Sequence, residues 1–193
     1  MNKYMELSIK PTPEIGLYTL WGLLYSKIHL VLVKNKNKDC EINYAVSFPE
    51  YQTESNILGS KLRIFAYSTE ELKGLRLEQE LEKLSEYIYL TDILDIPKNP
   101  SSHSIYRRVQ FKTSIERLAR RRVRKIPGIT LDEAIQELNN LKTTKTNLPY
   151  IQMKSLSSNQ TFSLFIEKIT ADRIITEKFN SYGLSIGGTV PEF

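Results

Sequence analysis

Residues 3–34 read KYMELSIKPTPEIGLYTLWGLLYSKIHLVLVK, and the change of hydrophobic period inside this stretch decides the fold. In KYMELSIK, Met5, Leu7 and Ile9 alternate with polar neighbours, the pattern of a strand with one buried face, and Pro11-Thr12-Pro13 ends it. From about residue 14 the apolar positions become Leu17, Leu20, Trp21, Leu24, Ile28 and Val31, a 3, 4, 7 spacing that lays one stripe along a helix ending near residue 34. KNKNKD then reads as a turn. EINYAVSF alternates as a second strand with Ile42, Tyr44, Val46 and Phe48 on one face, and KLRIFAY is a third. Ser68 and Glu71 form a capping-box pattern opening a helix with Leu72, Leu75, Leu81 and Leu84 inward, after which EYIYLTDIL returns to strand character. The order β-α-β-β-α-β predicts a ferredoxin-like, RNA-recognition-like domain over residues 1–97.

Pro97, Asn99, Pro100, Ser101 and Ser102 mark a linker, and a second half, residues 104–193, follows. IYRRVQFK alternates as a strand, which puts Arg108 and Gln110 on one face. Thr113 with Glu116 caps a basic helix that Pro127 and Gly128 stop, and Thr130 with Glu133 caps another carrying Ile135, Leu138 and Leu141. LPYIQMKS and TFSLFIEK are strands around a polar turn, before the Gly-rich tail SYGLSIGGTVPEF. The fold class is therefore α+β, with the arginine-rich helix in the C-terminal α+β half.

Charge is distributed unevenly. Residues 107–125 hold Arg107, Arg108, Lys112, Arg117, Arg120, Arg121, Arg122, Arg124 and Lys125 against Glu116 alone, a local +8. Subtracting that from the formal net charge of +5 leaves −3 on the rest of the chain. One concentrated basic segment on an acidic body is the footprint of a polyanion site, with nucleic acid the leading partner class. At 100° per residue with Arg117 at 0°, Arg121 falls at 40°, Arg124 at 340° and Arg120 at 300°, while Ile115, Ala119 and Ile126 lie opposite and can dock on the body. A solvated face of i,i+4 ion pairs would need acidic partners, and Glu116 is the one carboxylate in reach.

The single cysteine, Cys40, excludes an intramolecular disulfide, and MNKYMELSIK has no apolar signal segment. No apolar run reaches the roughly 20 residues of a membrane span, so a soluble, cytoplasmic protein is expected, with no membrane partner. His29, Cys40 and His103 lack ligand spacing, so no metal or other cofactor is expected. His103 reads as an exposed loop residue. His29 lies twelve positions after Leu17, 120° from the apolar stripe, and a lone histidine there fits either a structural role or a general base with a pKa near neutrality.

Several stretches together carry a family resemblance: LYSKIHLVLV with His29, YAVSFPE, RRVQFKTSIERLARRRVRK, MKSLSSNQTFSLFI and the SYGLSIGGTVPEF tail. In their order and spacing the chain resembles the CRISPR-associated endoribonucleases of type I-F, which cut precursor CRISPR RNA at the base of each repeat hairpin. The resemblance implies metal-independent cleavage by the RNA's own 2′-hydroxyl, giving a 5′-hydroxyl and a 2′,3′-cyclic or 3′-phosphate. It implies His29 as general base, Ser155 holding the ribose at the cut with Ser157 assisting, Tyr182 orienting the histidine and Phe162 stacking beside the scissile nucleotide. Arg108, Gln110, Arg117, Arg120, Arg121 and Arg124 would contact the hairpin, and the product would stay bound within the type I-F RNA-guided interference complex and its other subunits. Ala119 and Lys125 stand where arginines would be expected, and Ile126 where a histidine would. On the residues alone, Ser155 and Ser157 also suit a turn, and Tyr182 and Phe162 a core. A hairpin-binding subunit that does not cut remains the alternative function, and a DNA-binding regulator a weaker one.

Overall fold

Met5, Leu7 and Ile9 are buried on one face of β1 (Lys3–Ile9), as their alternation requires. The computed structural model describes the 193-residue chain except residues 38–40, 53, 111–114, 140–145 and 156–157, and describes residues 117 and 139 by backbone alone. Cys40, Thr113, Leu141 and Ser157 therefore lie outside the described residues. β1 pairs antiparallel with β3 (Lys61–Ala66), Leu7 opposite Leu62, and with β4 (Ile88–Leu90) and β5 (Leu94–Asp95). β2 (Ala45–Ser47) adds to the far edge of β3, so the sheet runs β2-β3-β1-β4.

Helix α1 (Leu17–Lys34) buries Leu20, Trp21, Leu24, Tyr25, Ile28, Val31 and Leu32, each large side chain worth roughly 1.5–3 kcal/mol once removed from water. It starts at Leu17, three residues later than its stripe suggests, with Gly16 as N-cap, and Trp21 Nε1 donates to the Gly59 carbonyl at 2.8 Å. Two expected elements are altered. Residues 42–48 do not alternate: only Ala45–Ser47 is strand, and Tyr44 through Phe48 are all buried, because both faces of this edge are covered. The helix after Ser68 keeps its capping box but breaks at Arg76, whose φ of 47° cannot continue a right-handed helix. The pieces are α2 (Thr69–Gly74), α3 (Leu77–Glu80) and a 3₁₀ turn over Glu82–Leu84; Leu72, Leu75 and Leu81 are buried and Leu84 partly so.

A second antiparallel sheet orders β7 (Tyr150–Lys154), β8 (Thr161–Ala171), β6 (Ser102–Val109) and β9 (Val190–Glu192). His103 lies in β6 opposite Ala171 and Pro191, half-buried, which corrects its expected place in an exposed loop. The two sheets share a core: Tyr106 is 1% exposed with its hydroxyl 3.0 Å from the Phe48 carbonyl, and the Tyr51 hydroxyl donates to Ile166 O at 2.9 Å. Packing thus joins Met1–Val109 with Leu148–Phe193 as one unit and sets Gln110–Asn147 apart as another. These units divide the chain differently from the expected halves, 1–97 and 104–193, because one core runs through both sheets.

The smaller unit contains α4 (Ile115–Lys125) and α5 (Leu131–Asn139). Ala119 of α4 and Ala134 and Leu138 of α5 form its core, with Ile115, Leu118, Val123, Ile129 and Ile135 against them. By angle Ile126 belongs to this apolar face, but it lies past the end of α4 and is 44% exposed. Thr130 and Glu133 complete a reciprocal cap at the start of α5.

Candidate active site

Gly22 allows α1 to approach β7 more closely than any other residue could, since a Cβ there would sit 2.7 Å from the Gln152 carbonyl oxygen. Two turns further along α1 stands His29, and three residues beyond Gln152 stands Ser155. Both line a cavity of about 310 Å³ together with Ser26, Leu30, Met153, Lys154, Phe162 and Tyr182. Phe162 comes from β8, opposite Met153 of β7, and Tyr182 from the tail.

The tail is threaded close to α1. Gly183, at φ 73°, fits where a Cβ would meet Val46 Cγ1 at 2.8 Å and Leu32 Cδ1 at 3.1 Å, and its carbonyl accepts from Val46 N at 3.0 Å. The buried Tyr25 hydroxyl donates to the Tyr182 carbonyl at 2.9 Å. This anchoring puts the Tyr182 ring on the His29 ring, 4.1 Å between centroids and 14° from parallel. It also places the Ser181 carbonyl oxygen 2.8 Å from His29 Nδ1. A carbonyl only accepts, so Nδ1 carries the proton and the lone pair of the neutral ring is on Nε2.

Burial is the chief force holding the His29 pKa below the usual 6.5; the Ser181 carbonyl opposes it, and the charges of Lys36 and Arg108 add to the lowering. The ring is thus a free base at neutral pH. Arg108, from β6, lies over the Phe162 ring at 5.5 Å and the Tyr182 ring at 5.2 Å, with its Nε buried and unpartnered among the described residues. Its expected strand mate, Gln110, is exposed one residue past the end of β6, so strand alternation does not extend to it. Ser155 closes the turn after β7, its N–H donating to Gln160 O at 2.8 Å and its Oγ accepting from Ser158 N at 3.3 Å.

Of the residues singled out in the sequence, His29, Ser155, Phe162 and Tyr182 therefore meet at one cavity, with Arg108 against two of its rings. Ser26 and Lys154 were not singled out. Ser26 precedes His29 by three residues on α1, a spacing that shares a face, and Lys154 abuts Ser155 in the quoted MKSLSS stretch.

In the other unit, Arg120, Arg121 and Arg124 are exposed on α4. Arg120 has one distant partner, Glu116 at 3.9 Å, while Arg121 and Arg124 have no carboxylate partner among the described residues. Arg122 differs: it pairs with Glu137 of α5 at 2.7 Å. The Arg117 side chain lies outside the described residues.

Comparison with known proteins gives a consistent outcome. A family model described as CRISPR-associated protein (Cas_Csy4) matches residues 4–193. The chain is 33% identical over 197 residues to a CRISPR-associated endonuclease Cas6/Csy4 of Escherichia coli (strain UTI89 / UPEC), covering 100% of both chains. It is 32% identical, at the same full coverage, to a CRISPR-associated endonuclease Cas6/Csy4 of Pseudomonas aeruginosa (strain UCBPP-PA14).

Proposed function

The chain belongs to the CRISPR-associated Cas_Csy4 family, and on that basis we propose that it is a metal-independent endoribonuclease of type I-F that cuts precursor CRISPR RNA at the base of the repeat hairpin. The observation that carries this is the meeting of His29, Ser155, Phe162 and Tyr182 at one cavity, with Nε2 of a deprotonated imidazole as the available base. His29 Nε2 takes the proton of the 2′-hydroxyl, O2′ attacks the adjacent phosphorus, and the bond from phosphorus to O5′ breaks. The products are a 5′-hydroxyl and a 2′,3′-cyclic phosphate, which can open to a 3′-phosphate.

Ser155 holds the ribose at the cut, with Ser157 assisting, Phe162 stacks beside the scissile nucleotide, and the Tyr182 ring fixes the imidazole plane. Arg108 and Gln110 read base edges at the foot of the stem, Arg and Gln being suited to guanine and adenine respectively. Arg117, Arg120, Arg121 and Arg124 bind the stem, where guanidinium forks match phosphate oxygens. The stem survives the cut, so the product stays bound, and the protein joins the other subunits of a type I-F interference complex in the cytoplasm. We take residues 1–97 as a ferredoxin-like half, a reading supported by the sheet order β2-β3-β1-β4, and residues 104–193 as the hairpin-binding half.

A repeat hairpin with a single 2′-deoxy nucleotide before the scissile phosphate tests this chemistry. The expected result is unaltered binding with no cleavage. Cleavage of that substrate would exclude attack by the 2′-oxygen, and absence of cleavage on the all-ribose hairpin would favour a subunit that caps the RNA without cutting.

A further inference from the structure

Resting on the cleavage chemistry proposed above, we propose a further catalytic residue: Lys154 supplies the positive charge that stabilises the departing 5′-oxygen. When O2′ bonds to phosphorus, the electron pair of the P–O5′ bond leaves on O5′, and an unassisted alkoxide is a poor leaving group. His29 is committed to the other end of the reaction, where it receives the 2′-proton, and its burial holds it in the free-base form beforehand. Arg108 is held over the Phe162 and Tyr182 rings, and neither it nor Lys36 is among the residues lining the cavity.

Lys154 is the one cation among the described residues that do line it. It is the last residue of β7, directly before Ser155, and so projects from a different element than His29, which stands on α1. Among the described residues no carboxylate pairs with its ammonium, which leaves the charge uncommitted. The side chain is exposed, so water reaches the site and delivers the proton that O5′ finally takes. A positive charge near the place where negative charge develops lowers such a barrier.

The test compares wild type, Lys154→Ala, Lys154→Arg and His29→Ala on two hairpins, one all-RNA and one with sulphur replacing the bridging 5′-oxygen at the cut. A thiolate leaves without help. We expect Lys154→Ala to bind the hairpin within a few-fold of wild type and to cut the oxygen-bridged RNA about 10²-fold more slowly. On the sulphur-bridged RNA it should cut within a few-fold of wild type. Lys154→Arg should stay close to wild type on both, since the charge is retained, and His29→Ala should be slow on both. Equal losses for Lys154→Ala on the two hairpins, or none on either, would overturn the assignment. Normal cutting by His29→Ala would instead overturn the base chemistry beneath it. Because Lys154 is exposed, the variants should melt with wild type; a lowered melting temperature together with sulphur rescue still supports the proposal, as unfolding would not distinguish the two bridges.

Discussion

At His29 the balance of forces gives a signed pH dependence. Burial, Lys36 and Arg108 all disfavour the imidazolium, and the Ser181 carbonyl only partly offsets them. A base works when deprotonated, so the cleavage rate should rise with pH to a midpoint below the ordinary 6.5 and then level off. Lys36→Gln removes one of the depressing charges without touching the cavity lining, and should move that midpoint upward in single-turnover profiles from about pH 5 to 8. An unmoved midpoint would remove Lys36 from the electrostatics of the site. Tyr182 gives a second expectation, because its observed contact with His29 is ring on ring. Tyr182→Phe preserves that stack and should cut within a few-fold of wild type, whereas Tyr182→Leu should lose at least tenfold in rate; similar rates for both would mean the stack does not orient the ring. The family resemblance singles out His29, Ser155, Phe162 and Tyr182, which line one cavity, and the sequence pattern singles out Arg108, which lies against two of its rings. Their geometry was not legible in the sequence, because the atoms that orient His29 include a backbone carbonyl, at Ser181, which leaves no mark on the sequence.

Among the elements, α4 carries exposed arginines beside one, Arg122, that is paired to α5. If Arg120, Arg121 and Arg124 each hold a stem phosphate, neutralising each should reduce the slope of log affinity against log salt by about 0.9 on the duplex scale. Arg122 should behave otherwise: paired to Glu137 across the α4–α5 contact, its loss should cost no more than about 1 kcal/mol of stability and leave the salt slope alone. Filter binding at several salt concentrations separates the two outcomes. By angle Arg120, Arg121 and Arg124 share one face and all three are exposed, while Arg122 turns toward Glu137, fifteen residues away in sequence and brought near by the helix hairpin. α1 and β7 present a similar case. Gly22→Ala would push a Cβ against the Gln152 carbonyl, and should destabilise the fold by about 1–3 kcal/mol in urea titrations while slowing cleavage. An unchanged urea midpoint would mean that the helix yields freely at this point. Elsewhere the periodic reading failed for physical reasons: the edge strand near residue 45 is covered on both sides and cannot alternate, and a left-handed residue, Arg76, interrupts a helix that its leucine spacing makes look continuous.

For the whole molecule, we propose that one cavity cuts RNA with its own side chains and the RNA's 2′-hydroxyl. Its walls come from α1, β7, β8 and the C-terminal tail, segments more than a hundred residues apart at the extremes, joined by a core that both sheets share. The charge asymmetry of the chain, basic over residues 107–125 and acidic elsewhere, suits a protein that takes hold of a polyanion locally. The most direct measurement is single-turnover cleavage of the cognate repeat hairpin in excess EDTA, wild type beside His29→Ala, with products resolved on a gel and their ends identified. We expect one cut at the base of the stem by wild type, leaving a 5′-hydroxyl, and a rate lower by about 10²- to 10⁴-fold for His29→Ala with hairpin affinity within a few-fold. Cutting that appears only when Mg²⁺ is restored, or equal rates for the two proteins, would contradict it.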